Sequence, residues 1–376
     1  MLKISVLGLN QKSISFITKI KNLGIEEIFG YDFDTDLLKQ AIEKKLINNS
    51  RFDSLEDVVR NKDIIIIAVP IKKYEFILGK ILPFIGQETV ITDLNTAKKE
   101  IFYKTAKSLA HKQINFIPST PLFNLENNKE NIFQNNKVLI TIDLRSKLNL
   151  VNKLAQFWKS LGMDAENINV DDHDIICSNV LHLPFIFSCI YNKYLENNHD
   201  KGNKIYLSSL ITKEIEQDIV LNKDNIISSM SEAIDGLNIL LKNINYNKLE
   251  PVLKDIEETI KKEKEIAEIF NLDVKDDNKI LNIFKSVNEK DYLKALLYIV
   301  LFQYIDKFYY SYINSDFLEL FVLKLGKNHE KVLEKNKSEI MNFLEYFLNE
   351  ISKFKNIIKT TKEINLPEEI KVFLNL

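Results

Sequence analysis

Lys3-Ile4-Ser5-Val6-Leu7-Gly8-Leu9-Asn10-Gln11-Lys12-Ser13, followed by Glu27-Ile28-Phe29-Gly30-Tyr31-Asp32, decides the fold. A β-branched run, a turn opening on glycine, a helical stretch and a second run closing on an acid form the layout of a βαβ dinucleotide site. The acid stands roughly 20 residues beyond the turn, where it can meet ribose hydroxyls. Of the three glycines in the GxGxxG pattern only Gly8 is present, with Asn10 and Ser13 in the other two places. The second glycine lets backbone approach the pyrophosphate, and the third lets the helix pack closely on the strand. Asparagine tolerates left-handed backbone, but the Asn10 side chain is expected to occupy pyrophosphate space. NAD is therefore expected to bind weakly or not at all. Asp32 reads either as a ribose ligand, favouring NAD over NADP, or as the cap of the following turn.

Outward from this opening, β-branched runs and helical stretches alternate to about residue 168, as in a parallel, doubly wound sheet. Asp63 to Val69 is apolar on both faces, as a fully buried strand should be, and Ala68-Val69-Pro70 closes it where a cofactor would lie. Thr89–Asp93, Ile114–Pro118 and Val138–Ile142 read as further strands. The spacing predicts helices over Lys12–Asn22, Asp36–Lys45, Leu55–Asn61, Lys72–Ile85, Ala97–Leu109 and Leu148–Leu161. The Asn-rich segment Asn124–Asn136 reads as a loop over the carboxyl ends of the strands, where ligand-contacting loops sit in such sheets.

From Asp171 onward strand signals stop and helical periodicity continues to the end. The fold class is thus an α/β, Rossmann-like N-terminal domain over residues 1–168 and an all-α C-terminal domain over 169–376. Leu281–Leu325 is especially apolar, and its aromatic run from Tyr304 to Tyr312 reads as helix packing rather than a ligand box. Asn222-Lys223-Asp224-Asn225-Ile226-Ile227 resembles Asn336-Lys337-Ser338-Glu339-Ile340-Met341, 114 residues on, and each leads into a long amphipathic helix. Duplication and chance similarity in a chain rich in Lys and Asn both explain this pair.

A net charge of −2 and a pI near 6.3 offer no attraction to nucleic acid or to an anionic membrane surface. Cys177 and Cys189 lie in an apolar helical stretch and read as buried thiols. No Cys/His set has metal-ligand spacing, so no metal is expected. No apolar run reaches the length of a membrane span, and the chain enters a strand at once, so a cytoplasmic protein without a signal peptide is expected.

Six short stretches then fall in one order. They are Ala68-Val69-Pro70, Thr92-Asp93-Leu94-Asn95-Thr96-Ala97-Lys98, Ile117-Pro118-Ser119-Thr120-Pro121-Leu122-Phe123-Asn124, Asp171-Asp172-His173-Asp174, His182-Leu183-Pro184-Phe185 and Glu216-Gln217-Asp218-Ile219. The second resembles the TD-x-x-S-x-K stretch of prephenate and arogenate dehydrogenases. The third is similar to that family's HPM segment, the fourth to its (E/D)-HD, the fifth to its HLPH and the sixth to its WxDI. The resemblance covers residues 1 to about 245, leaving 246–376 as an extension.

The resemblance implies an NAD(P)-dependent oxidation of a small carboxylic acid, with hydride leaving a ring carbon and carbon dioxide lost as the ring aromatises. It also implies a neutral histidine on the substrate hydroxyl and cations on the carboxylates. This chain departs from the pattern at these places. Thr120 stands where the family has its histidine, Phe185 replaces the second histidine of HLPH, and Gly202–Leu207 has Lys204 but no arginine where the family carries a substrate-binding FRDTTR. A lysine cannot reproduce an arginine's bidentate fork.

Retained are Asp32, Thr96, Lys98, His173 and His182. Thr96 reads as a donor to substrate or nicotinamide, or as the cap of a helix at Ala97. His173 reads as part of an acidic helix start. His182 is the remaining acid/base candidate, with a satisfied core histidine as its alternative. His111, His199 and His329 stand in polar contexts without a signal. Gly8, Asn10, Ser13, Asp32, Val69 and Pro70 form the candidate cofactor set, and His182 and Thr96 the candidate catalytic set. Three functions compete: a dehydrogenase of this type with an atypical, weak or inactive site; a non-catalytic binding or regulatory homologue; and an oxidoreductase acting on another small carboxylic acid. The resemblance further implies dimerisation through helical domains, so a homodimer or an internally duplicated monomer is expected.

Overall fold

The computed structural model describes residues 2–49, 54–108, 115–122, 133–134, 136–198, 215–248, 250–251, 254 and 334–361. The Leu281–Leu325 stretch, the Gly202–Leu207 segment, Phe123, Asn124, His111, His199, His329 and most of the Asn124–Asn136 loop lie outside the described residues. Two compact units are present: Met1–Ile175 with Ser209–Leu221, and Ile176–Ser208 with Asn222–Leu376.

In the first unit, β1 (Ile4–Leu7), β2 (Ile28–Tyr31), β3 (Ile64–Ile67) and β4 (Val90–Asp93) form a parallel sheet in the order β2-β1-β3-β4. Strand β3 pairs in register with β1 (Ile65 opposite Ser5) and with β4 (Ile65 opposite Ile91). Its four isoleucines are fully buried, and alternation divides them between faces. Ile64 and Ile66 join Ile4 and Val6 under α1 (Gln11–Asn22), where Phe16 and Ile20 pack. Ile65 and Ile67 join Leu7 and Ile91 on the other face, with Ile77 and Leu78 of α4 (Tyr74–Ile81). Helices α2 (Thr35–Glu43) and α3 (Leu55–Val59) lie between these elements in the chain.

Several expected boundaries shift. The helix expected over Lys72–Ile85 is a short 3₁₀ turn (Ile71–Lys73), α4, and a second 3₁₀ turn (Leu82–Phe84) containing Pro83. A proline cannot continue the α-helical hydrogen-bond ladder. The helix expected from Ala97 begins instead at Lys99, as α5 (Lys99–Ser108). The strand expected at Ile114–Pro118 reduces to a parallel bridge of Phe116 to Ile91. The chain then enters β5 (Ser119–Pro121), which runs antiparallel to β6 (Lys137–Thr141). Pro118 lacks the amide needed to extend the ladder on β4. Beyond α6 (Leu148–Ser160), β7 (Asp164–Ile168) completes a β5-β6-β7 sheet parallel to β6. Its sequence is polar and mostly half-exposed, which hides it from a search for apolar runs.

Among the described residues no strand follows Ile168. Helix α7 (Val170–Cys177) continues through one π-helical turn, Ser178–His182, into α8 (Leu183–Asn197). This 28-residue helix is the one described stretch apolar and long enough to cross a membrane, but 89% of its most apolar window is buried inside the protein, as in a core helix. Helix α9 (Ile215–Leu221) returns to the first unit. In the second unit, α8 packs with α10 (Lys223–Asn245) and α11 (Lys337–Thr360). Phe187 meets Phe347 edge-on with ring centres 4.9 Å apart, and Tyr194 meets Phe343 at 5.0 Å.

Candidate functional site

The turn after β1 is held tightly against the end of β3. Gly8 sits at φ +104°, and a Cβ there would stand 2.6 Å from the Ala68 carbonyl carbon and oxygen, so no other residue fits. Asn10, by contrast, has φ −74° and extended backbone, not the left-handed form that asparagine tolerates. Its Oδ1 accepts from the Ser13 amide as the N-cap of α1, while its Nδ2 donates to the Ala68 carbonyl at 2.9 Å. The side chain thus ties the phosphate turn to the strand beside it. Ser13, fully buried, donates its hydroxyl to the Gly8 carbonyl at 2.7 Å.

Asp32 accepts from the Leu9 amide through one carboxylate oxygen and from the Asp34 amide, at 2.8 Å, through the other. It caps its own turn and pins the glycine loop, while lone pairs on both oxygens remain chemically able to meet hydroxyls. Val69 is buried and Pro70 exposed at the end of β3. Lys12 places a buried ammonium on the Leu94 carbonyl.

A second polar cluster occupies the ends of β4 and β5. Lys98 and Asp93 form a fully buried ion pair at 2.7 Å, and the Lys98 ammonium also donates to the Ser119 carbonyl at 3.0 Å. Asp93 also accepts from the Ser119 amide, at 3.3 Å. Asp174 explains the late start of α5: its carboxylate accepts from the Lys98 and Lys99 amides at 2.8 and 3.0 Å, capping the helix from a distant part of the chain. Thr96 is therefore not that helix's cap. Its amide and hydroxyl both donate to one oxygen of Asp218, at 2.7 Å each, while the Gln217 side-chain oxygen accepts from the Ile71 amide.

His173 lies in the acidic first turns of α7, as expected, and its side chain is fully buried in this cluster. Its Nδ1 lies 2.8 Å from Asp174 and its Nε2 lies 2.9 Å from the Thr120 hydroxyl, which itself donates to the Asn95 carbonyl. Burial lowers the His173 pKa, against the pull of Asp174, so the neutral ring is favoured. Burial by itself would raise Asp174, but bonds from His173 and from the Lys98 and Lys99 amides outweigh it and hold that carboxyl below the usual range. Burial raises Asp218, with Lys12 and Thr96 opposing. The Tyr74 hydroxyl, buried beside Asp93, is pushed well up. Carboxylate, imidazole and hydroxyl thus stand in sequence, with the hydroxyl hydrogen of Thr120 given to Asn95.

His182 belongs to the second unit. It is fully buried in the π-helical turn, with Nδ1 3.3 Å from the Asn222 side-chain amide, and Phe185 is buried one turn on. Sequence reasoning gives no role to Asp174 or Lys12, and it places His173 in an acidic helix start without its buried partners. The spacing His173-Asp174 was the available signal, but its partner Thr120 lies 53 residues away. Among the described residues no His, Cys, Asp and Glu cluster could hold a metal ion.

Residues 17–166 match the model of the prephenate dehydrogenase nucleotide-binding domain, beginning beyond the glycine turn. Cyclohexadienyl dehydrogenase from Zymomonas mobilis is 23% identical over 141 residues, covering 36% of this chain. The chain thus spans about half (47%) of that curated relative. Prephenate dehydrogenase from Aquifex aeolicus, solved with hydroxyphenyl propionate and NAD+, superposes with a TM-score of 0.57 at 18% identity, covering 71% of this chain and 98% of its own. Synechocystis arogenate dehydrogenase gives 0.50 at 19% identity, with 67% and 96% covered. These structural likenesses show the fold.

Proposed function

We propose that this chain is a divergent member of the prephenate and arogenate dehydrogenase family, keeping its nucleotide-domain architecture while binding NAD weakly and turning over prephenate or arogenate slowly or not at all. One observation carries this reading. Thr120, at the position where the resemblance puts the family's histidine, is fully buried, with its hydroxyl engaged by Asn95 and His173. A threonine hydroxyl is no base near neutral pH.

The dinucleotide turn fits its ligand in part. Gly8 keeps the close backbone approach, and Asp32 stands where ribose hydroxyls would lie. The Asn10 side chain bridges to Ala68 across the turn, where the family has no side chain. NAD would supply the hydride acceptor of the family reaction. Gly8, Asp32, Val69 and Pro70 are the residues that would hold it, and Thr96, its hydroxyl hydrogen committed to Asp218, would meet a ligand as an acceptor. Each lost base or donor costs a few kcal/mol in the transition state, so the changes at Thr120, Phe185 and Gly202–Leu207 together reduce turnover by orders of magnitude.

Calorimetry with NAD and steady-state formation of NADH from prephenate and arogenate test this reading. Dissociation well above the micromolar range and no detectable NADH are expected. A micromolar affinity, or turnover abolished by His182→Ala, would overturn it. The Asp174–His173–Thr120 chain favours one second reading, an oxidoreductase acting on another small carboxylic acid. In that case turnover of the acid would be lost in Thr120→Val and kept in Thr120→Ser.

A further inference from the structure

The second unit contains two helices that match at every buried position. On α10, Ile226, Ser229, Met230 and Ala233 are buried; 114 residues on, so are Ile340, Phe343, Leu344 and Phe347 of α11. The pattern continues with Gly236, Leu237, Leu240 and Ile244 against Glu350, Ile351, Phe354 and Ile358, again 114 residues on. Amphipathic helices share a period, but a period alone does not fix one phase relative to both helix starts. Here both helices begin one residue after an asparagine, Asn222 at φ −102°, ψ 17° and Asn336 at φ −109°, ψ 17°. At the same offset, the α8 sequence Asn192-Lys193-Tyr194 corresponds to Asp306-Lys307-Phe308.

The contacts between the two helices are reciprocal. Lys223, first residue of α10, donates to the carbonyl of Thr361 just beyond the end of α11, at 2.9 Å. Lys337, first residue of α11, donates to the Asn245 carbonyl at 3.2 Å and to the Asn247 side chain just beyond the end of α10. Lys337 is Lys223 moved on by 114 residues, and Thr361 is Asn247 moved on by the same number. A contact between i and j repeated between j and i is the signature of a two-fold axis, here within one chain.

We infer that α11 is a second copy of α10, and that it occupies within the chain the surface on which another subunit's α10 would otherwise pack. The end-to-end contacts identify the occupant, and side-chain sizes show that the two copies have diverged. Ser229, Ala233 and Gly236 on α10 correspond to Phe343, Phe347 and Glu350 on α11, small residues against large ones. Two identical chains present the same residue at both related positions. Only linked copies are free to diverge in this way, as Ser229, which meets the Ser178 hydroxyl, and Phe343, which meets rings of α8, have done. Phe343 and Phe347 fill the space against α8, and Glu350 is held by Lys193 at 2.9 Å and Lys353 at 2.7 Å. The chain is therefore self-sufficient at this surface, a monomer with an internal two-fold.

Light scattering coupled to size exclusion, on the full chain over a hundredfold range of concentration, tests the inference. A single species near the chain mass of 43.9 kDa, with a Tm independent of concentration, is expected. A species of twice that mass, or a Tm rising with concentration, overturns it. The result is separate from the activity reading, because mass does not depend on NAD or on turnover.

Discussion

The nucleotide-binding unit and the helical unit are built on opposite logics. The first encloses charge: Asp93, Lys98, His173, Asp174 and Asp218 are all buried at the ends of its strands. Each is satisfied by a partner, and several partners come from far along the chain, Thr96 to Asp218 spanning 122 residues and Lys98 to Asp174 spanning 76. The second is organised by apolar periodicity repeated at one offset, and its helix-end lysines bond to backbone carbonyls. A buried polar network tolerates little loss, since each member removed leaves another without compensation. A repeated apolar face spreads its stability over many equivalent contacts.

Lys98→Ala is the sharpest way to break this contrast. It leaves the Asp93 carboxylate buried without its cation and the Ser119 carbonyl without a donor. Removing one partner of a buried pair costs about 3–5 kcal/mol. Denaturant unfolding should show a loss of that order, and a loss below about 1 kcal/mol would mean that water reaches Asp93 and that the cluster is not closed.

Such residues explain what the sequence could and could not reveal. The parallel sheet was legible because β3 is four isoleucines between Asp63 and Ala68-Val69-Pro70, an apolar run of strand length. Strand β7 was not, because an edge strand buries little, and only Ile168 of Asp164–Ile168 is buried. At the site, Thr96, Thr120, His173 and His182 were visible as motif members, but their roles depend on partners that no local pattern encodes. Of the two readings of Thr96, donor to a ligand or cap of a helix at Ala97, the second fails: the cap is Asp174, from beyond the second sheet in sequence. The repeat was legible as six residues of similarity, and its extent emerged only when burial could be compared position by position.

The buried cluster of the first unit should also weaken in acid. His173 is buried with a pKa below its ordinary value of 6.5, so as pH falls the unfolded chain takes up this proton before the folded one. The sign follows: the stability is present above about pH 6.5 and is lost as pH falls from there through the folded value. Asp174, held below its ordinary 3.8, adds a further loss in stronger acid. Unfolding free energy measured between pH 7 and 5 should decline by at most about 1.4 kcal/mol per pH unit for this one proton. His173→Asn should flatten the slope over that range; an unchanged slope would place the acid sensitivity elsewhere.

The smallest effect tests the symmetry of the helical unit. Ile244 and Ile358 are both buried near the carboxyl ends of α10 and α11, 114 residues apart, and both keep the same side chain where most of their neighbours have diverged in size. Removing one methylene from a buried isoleucine costs about 0.5–1.5 kcal/mol, depending on how far the surroundings relax. Two positions related by a two-fold have related surroundings, so Ile244→Val and Ile358→Val should cost nearly the same within that range. Because each end packs near the start of the opposite helix, where Lys337 and Lys223 bond, the two sites are distinct and the double variant should lose the sum. Unequal single losses at the two ends of that range would show the surroundings to be unrelated, leaving the matching burial pattern as a shared helical period and not a duplicated fold.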